Sequence, residues 1–321
     1  MESMTKNRQS KDIICRMTEK FVSPLKMTDC KELTEGLFNA AYEVCLNDGS
    51  SVILKIAPPK EIEIQTYEKN IMYTEVRTME ILSRYESIPV PRIYGYDDSC
   101  TICASPYFVM EKLRGESINK IRDTLSQEQI NGFYLETGKI IRAVNDIVCP
   151  CFGYPGQPEY QGETWYSVFY KMMTAAIEDA ERAGVELDVP PNELMSLLER
   201  YKTVFDEVTE PRLVHFDCWD GNIFVENGKI TGIIDWERAL WADPLMEVQF
   251  RRFFPNLVFQ KGYGLEELSG SQIYRALWYD VYMMTLIASE CEFRKYDINE
   301  VYGWASSVLK NQFDELKQRI L

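Results

Sequence analysis

The segment His215-Phe216-Asp217-Cys218-Trp219-Asp220-Gly221-Asn222, followed by Ile233-Ile234-Asp235, gathers residue types that phosphoryl chemistry needs. Asp217 and Asn222 share one loop in an HxDxxxxN pattern, and Asp235 closes a strand that returns from a turn at Asn227-Gly228. One carboxylate can orient a hydroxyl, while an amide oxygen and a second carboxylate suit a hard cation such as Mg²⁺. Taken singly, Asp and Asn in turns mostly bond their own backbone. Their order here, downstream of a hairpin that carries a lysine among apolar residues, fits a site for moving a phosphoryl group.

That lysine is Lys55, in Val52-Ile53-Leu54-Lys55-Ile56-Ala57. Burying it among such neighbours is expensive without an anion. Glu75, on the helix that follows, is the first candidate for that anion and Glu80 the second. On an edge strand Lys55 would simply point into water. Gly36, the one glycine of Leu33-Thr34-Glu35-Gly36-Leu37-Phe38-Asn39, could let backbone amides approach phosphate or could serve only as a turn residue. His215 is the sole histidine and titrates near neutrality when unperturbed, so it is either a proton-transfer group or an organiser of the loop.

Hydrophobic spacing supplies the elements that would carry these groups. Ile13, Ile14, Met17 and Phe21 mark a short helix closed by Pro24. Residues 40–46 and 51–56 read as strands around Asn47-Asp48-Gly49, a strong hairpin signal. Residues 61–85 read as one helix with Ile71, Glu75, Met79 and Leu82 on a face, ended by Pro89 and Pro91. Strands follow at 92–97 and 107–110. Beyond Gly115 the pattern turns helical, over 127–144, 164–183, 192–208 and 272–289, with a closing helix that aligns Trp304, Val308, Leu316 and Ile320. The exception is 213–236, a β-prone stretch. Trp165, Trp236, Trp241 and Trp278 read as core residues. The expected architecture is α+β: a small β-rich N-terminal lobe (1–113) followed by a larger, mainly helical lobe (114–321).

Composition narrows the partners. The 321 residues exceed what one core usually serves, and 45% are apolar, as in a folded protein. A net charge of −15 argues against nucleic acid and against an anionic membrane surface. The nine cysteines show no zinc-type spacing and suit reduced thiols. No stretch near Met1–Lys11 resembles a signal peptide, and the apolar run at 279–288 is short and broken by Asp280, so a soluble, cytoplasmic protein is expected.

The motifs VHFDCWDGNIFV (214–225) and GIIDWERALWADP (232–244) resemble those of the aminoglycoside phosphotransferase superfamily, the protein-kinase-like small-molecule kinases that include choline, fructosamine and methylthioribose kinases. The resemblance spans roughly residues 33–250. It implies a bilobed kinase-like fold with ATP or GTP bound between the lobes and Mg²⁺ as cofactor. By matching positions it implies Asp217 as catalytic base and Asn222 and Asp235 as magnesium ligands. His215 would be the loop-organising histidine, and Lys55 with Glu75 the phosphate-holding pair. Gly36 would lie in the phosphate loop, and Met110, Glu111 and Leu113 in a hinge, residues 108–114, that meets the purine through its backbone. Phe216 departs from the usual glycine, and Cys218-Trp219 is a bulky loop filling; both bear on the substrate pocket. Asp243-Pro244 matches a family pair that braces a loop or contacts substrate.

The reaction expected is transfer of the γ-phosphoryl group to a hydroxyl of a small molecule. The acidic balance and Asp220, Glu237 and Glu247 around the loop suggest a cationic acceptor, unless those carboxylates are only solvated. An antibiotic kinase and a metabolic kinase for choline or an amino sugar compete within that class, and a regulatory pseudokinase stands outside it. A protein-substrate kinase is disfavoured, because the interval from Asp235 to Asp243-Pro244 leaves no room for a long activation segment.

Overall fold

The computed structural model describes residues 5–36, 38–253, 255–265, 267–268, 270–294 and 299–319; Leu37 and Ile320, named above, lie outside the described residues. The chain begins with α1 (Lys11–Val22), whose Ser10 cap accepts a hydrogen bond from the Ile13 amide. Then come β1 (Met27–Leu33), β2 (Ala40–Leu46), β3 (Ser51–Ile56), α2 (Ile71–Leu82), β4 (Ile93–Asp97) and β5 (Tyr107–Glu111). The strands form one antiparallel sheet in the order β1-β2-β3-β5-β4. Alternation sends Tyr42, Val44, Val52, Leu54 and Val109 to the outer face, against Ile14, Met17 and Val22 of α1. Ile53, Phe108 and Met110 face inward onto Val76, Met79 and Leu82 of α2, in a core continuous with the helical lobe. Lys55, two residues from Ile53, shares that inner face.

The larger lobe runs through β6 (Glu116–Ser117), α3 (Ile118–Ile121), α4 (Gln127–Asn145), α5 (Trp165–Arg182), α6 (Pro191–Arg200), α7 (Lys202–Phe205), β7 (Arg212–Val214), β8 (Ile223–Glu226), β9 (Lys229–Ile233), β10 (Leu240–Ala242), α8 (Leu257–Tyr263), α9 (Ser271–Arg294) and α10 (Asn299–Gln318). Helix α9 is buried along most of its length, between α5 and α10. Two small sheets, β6-β8-β9 and β7-β10, hold the loops that carry Asp217, Asn222 and Asp235. In the β8–β9 turn Asn227 and Gly228 both have positive φ, 51° and 75°, as a tight hairpin requires. Among the described residues no helix is long and apolar enough to cross a membrane.

Four readings change. The α-helix expected over 61–85 is only α2; residues 65–70 run as a strap with one 3₁₀ turn at Thr66–Glu68, held by buried polar contacts to the other lobe, and tertiary bonding overrides local propensity. The helix expected over 192–208 breaks at Tyr201, whose hydroxyl donates to the Leu316 carbonyl at 2.8 Å. In α10 the buried face is Ala305, Leu309, Phe313 and Leu316, while Trp304 stays 44% exposed against Phe253. Strand β1 is an additional element, a polar edge strand without an alternating apolar signal. The four tryptophans read as core are buried.

Helices α4 and α8 touch through glycines. A Cβ on Gly138 would stand 2.3 Å from the Phe259 carbonyl oxygen, and one on Gly262 2.1 Å from that of Leu135. Gly132, in the same helix, has nothing within 4 Å. Gly138→Ala is expected to destabilise by about 1–3 kcal/mol, and Gly132→Ala to stabilise by roughly 0.5–1 kcal/mol. Urea midpoints of the two variants check this; equal shifts would mean the helices are not in backbone contact.

Candidate active site

Strand β3 delivers Lys55 to the inner face, where it is 7% exposed. Its ammonium donates to Glu75 Oε1 at 2.6 Å and to Asp235 Oδ1, and lies 5.9 Å from the Phe108 ring centroid. Burial alone would lower the Lys55 pKa, but Asp235, Glu75 and Glu237 outweigh it and raise it. Glu75 is fully buried and its pKa is raised, by desolvation first. Glu80, the competing anion, is exposed and pairs with Arg77 at 3.1 Å.

The loop from β7 is stitched from behind. Glu247, fully buried, accepts from the His215 amide at 2.9 Å, the Phe216 amide at 3.1 Å and Asn145 Nδ2 at 3.0 Å. His215 Nδ1 accepts from the Asp217 amide at 3.2 Å, which leaves Nε2–H to donate to the Ile234 carbonyl at 3.0 Å. The imidazole thus ties the loop to the strand that ends at Asp235, and burial holds its pKa down at about 4. Both facts favour a loop organiser over proton transfer. Phe216 has φ 70°, the left-handed region where glycine is comfortable, and its ring is buried. A glycine would take this conformation without strain, and here packing and the Glu247 bonds hold it instead.

Asn222 Nδ2 donates to the Asp217 carbonyl at 2.8 Å, so its Oδ1 is directed away from that bond. The Ile234 amide donates to the Asn222 carbonyl at 3.0 Å, which sets Asn222 beside Asp235. Asp235, with φ 61°, spends Oδ1 on Lys55, and its side chain is 34% exposed, leaving Oδ2 free of that pair. These two oxygens are the donor set Mg²⁺ takes when phosphates and water complete its shell. Among the described residues no group of three His, Cys, Asp or Glu converges as a self-sufficient metal cage.

Asp217 lies opposite Arg238, 3.9 Å away, and Arg238 reaches on to Glu290 of α9 at 3.6 Å. Burial raises the Asp217 pKa to about 6, with Arg238 opposing and Asp235 adding to the rise. Neither Arg238 nor Glu290 was singled out from sequence; Arg238 lies in the second motif, but Glu290 is joined to it only by folding. Asn39, at the end of the Gly36 loop, donates to Glu237 at 2.8 Å, and Phe38 lies 5.3 Å beneath the Arg294 guanidinium. Gly36 itself is exposed, with nothing near its Cβ position and no positive φ. In the connecting strand Met110 is buried on the inner face, Lys112 pairs with Glu43 at 2.6 Å, and Leu113 lies over Gly232, where a Cβ would be 2.5 Å from its methyl.

The carboxylates expected to read a cationic acceptor are engaged elsewhere. Glu247 is the buried loop anchor, Asp220 is bound by Arg122 and by the Tyr134 hydroxyl at 2.9 Å, and Glu237 holds Asn39. Asp243 is likewise a brace, accepting from the Leu245 amide, Arg275 and the Tyr279 hydroxyl.

The model of the phosphotransferase enzyme family (APH) matches residues 29–249, and the chain belongs to that family. Its fold is the protein-kinase-like one of the solved structures it resembles. A ternary complex of a thermostable mutant of aminoglycoside phosphotransferase APH(4)-Ia with AMP-PNP and hygromycin B superposes at a TM-score of 0.65, with 15% identity over 94% of this chain and 98% of that one. The streptomycin-ATP-APH(2″)-IIa ternary complex gives 0.60 and 15%, covering 97% of each chain. In sequence, a subtelomeric hrmA-associated cluster protein of Aspergillus fumigatus is 25% identical over 126 residues, 39% of this chain. The match spans about a quarter of that relative's length (24%).

The His215 environment has a measurable consequence. The unfolded imidazole titrates near 6.5 and the folded one at about 4, so the folded state binds fewer protons between those values. The stabilisation is full above pH 6.5 and is lost as pH falls towards 4. Relative to His215→Gln, the protein is expected to lose up to about 3 kcal/mol across that window. Urea titrations of both at pH 7, 5.5 and 4.5 test this; parallel pH dependence would show that the histidine is not held neutral.

Proposed function

We propose that this chain moves the γ-phosphoryl group of ATP or GTP to a hydroxyl of a small, amine-bearing molecule. The observation that carries the reading is one cluster in which Lys55 is bound by Glu75 and Asp235, Asn222 is held beside Asp235, and Asn222 donates to the Asp217 carbonyl. In this reading residues 1–113 form the nucleotide lobe, ending in the hinge at 108–114, and residues 114–321 carry catalysis and the acceptor. Met110 lines the base pocket, Glu111 and Leu113 offer backbone groups to the purine, and the Gly36 loop covers the phosphates.

Lys55, held in place by Glu75, grips the phosphate oxygens. Asn222 and Asp235 would hold Mg²⁺, which supplies charge neutralisation to the phosphates when bound. Asp217 accepts the hydrogen bond of the acceptor hydroxyl and aligns its oxygen with phosphorus, the contribution of positioning that dominates such reactions. As the new O–P bond forms and the bond to the leaving nucleoside diphosphate breaks, the hydroxyl proton passes to Asp217. A basic acceptor is supported by the net charge of −15 and by the hygromycin B and streptomycin held in the similar structures.

A screen of ATP and GTP consumption against amine-bearing and neutral alcohols tests the reading. With an accepted substrate, Asp217→Asn is expected to lower turnover by roughly 10²–10⁴-fold while nucleotide affinity holds. Near-parental turnover would remove Asp217 from the chemistry. Asp235→Ala is expected to raise the Mg²⁺ concentration for half-maximal rate by more than the roughly tenfold that loss of an outer-shell contact costs. An unchanged Mg²⁺ profile would take Asp235 out of the cation site.

A further inference from the structure

The strap of residues 65–70, just ahead of α2, is bound at almost every position by side chains or backbone carbonyls of the other lobe. Gln65 Nε2 donates to the Leu286 carbonyl at 3.0 Å and to Ser289 Oγ at 2.8 Å, both on α9. Asp179 of α5 accepts from the Thr66 amide at 2.5 Å and its hydroxyl at 2.7 Å. Gln157 Nε2 donates to the carbonyls of Tyr67 at 3.1 Å and Lys69 at 2.9 Å. Arg294, at the end of α9, pairs with Glu68 at 2.6 Å. Asn70 donates to the Gly156 carbonyl at 3.1 Å. Gln65, Glu68, Gln157 and Asp179 are each 2% exposed or less.

We propose that this strap is a clamp by which the large lobe fixes α2, and hence Glu75, against Lys55, with Gln157 as its central positioning residue. Asn70 ends the strap at φ 55°, and α2 starts at the next residue, so the clamp leads straight into the helix that carries Glu75. Gly156 seats against its first turn: a Cβ there would lie 2.8 Å from both the Asn70 carbonyl oxygen and Thr74 Oγ1. Kinases that are switched on and off do so by moving the helix that bears this glutamate. Here that motion would strip several buried polar groups of their partners together, the costly outcome in a low-dielectric interior. The short interval between Asp235 and Asp243 offers no long segment to drive it. The Lys55–Glu75 pair is therefore a standing feature of the fold rather than a regulated one.

The inference rests on the nucleotide reading above, and its test separates the two. Binding of Mg²⁺·AMP-PNP is measured calorimetrically for the full chain, for Gln157→Ala and Thr66→Val, and for each combined with Glu75→Gln. Thr66→Val removes one clamp bond at nearly constant shape and serves where Gln157→Ala folds poorly. Each clamp variant is expected to weaken nucleotide binding about tenfold in the parental background and to add less than about twofold once Glu75 is replaced, since the clamp acts through that residue. A general loss of packing would lower affinity in both backgrounds alike. Unchanged affinity in folded clamp variants, or full additivity with Glu75→Gln, would overturn the clamp while leaving nucleotide binding intact. No binding to the parental chain would overturn the nucleotide reading and the clamp with it.

Discussion

An ammonium group inside an apolar strand is unstable unless anions surround it, and carboxylates brought together inside a protein are unstable unless a cation separates them. Lys55 and its neighbours Glu75, Asp235 and Glu237 answer both demands at one point. The requirement reaches outward. Glu75 must come from a helix packed on the inner face of the sheet, so α2 must lie there. Asp235 must come from the other lobe, so the two lobes must meet at this distance. Burial first, with the neighbouring carboxylates adding to it, raises the Glu75 and Glu237 pKa values, and Lys55 opposes the rise.

Groups that face the cleft are held by groups that do not. Glu247 takes two successive loop amides and Asn145, and His215 joins the loop to the strand ending at Asp235. Gln249 adds a bond to the Cys218 carbonyl at 2.7 Å. Among the described residues the Asp217 carboxylate has no short side-chain partner, and Arg238 lies 3.9 Å from it. Rigid backbone and an uncommitted side chain are what orienting an incoming hydroxyl requires.

Much of this was legible in the sequence because the decisive residues lie in local patterns. The Asp217–Asn222 loop, the Asp235 strand end and Lys55 in its apolar run are each visible within a dozen residues. Glu75 could be named because it shares a helical face with Ile71 and Met79. What escaped depends on long-range contacts. The strap at 65–70 has helix-compatible residues, and Asp179, Gln157 and Arg294, distant in the chain, explain why it forms one 3₁₀ turn and does not continue as α-helix. Strand β1 gave no alternation because its edge is wet. Acidic residues near a site look alike in sequence whether they face solvent, an arginine or backbone amides, and this is why Asp220, Glu237 and Glu247 were read together although their environments differ. Arg238 and Glu290 meet only because α9 passes the loop.

One feature of the loop gives the molecule its own internal reporter. The chain contains a single histidine, and its imidazole bridges the backbone beside Asp217 and the strand ending at Asp235. Any imidazole resonance in a nuclear magnetic resonance spectrum of the protein therefore belongs to this bridge without assignment. Its Nε2–H, hydrogen-bonded and shielded from solvent, should exchange slowly enough to be observed directly. The shift of that one proton senses the spacing between loop and strand, so rearrangement at the centre of the cleft can be followed with isotopic labelling of one amino acid.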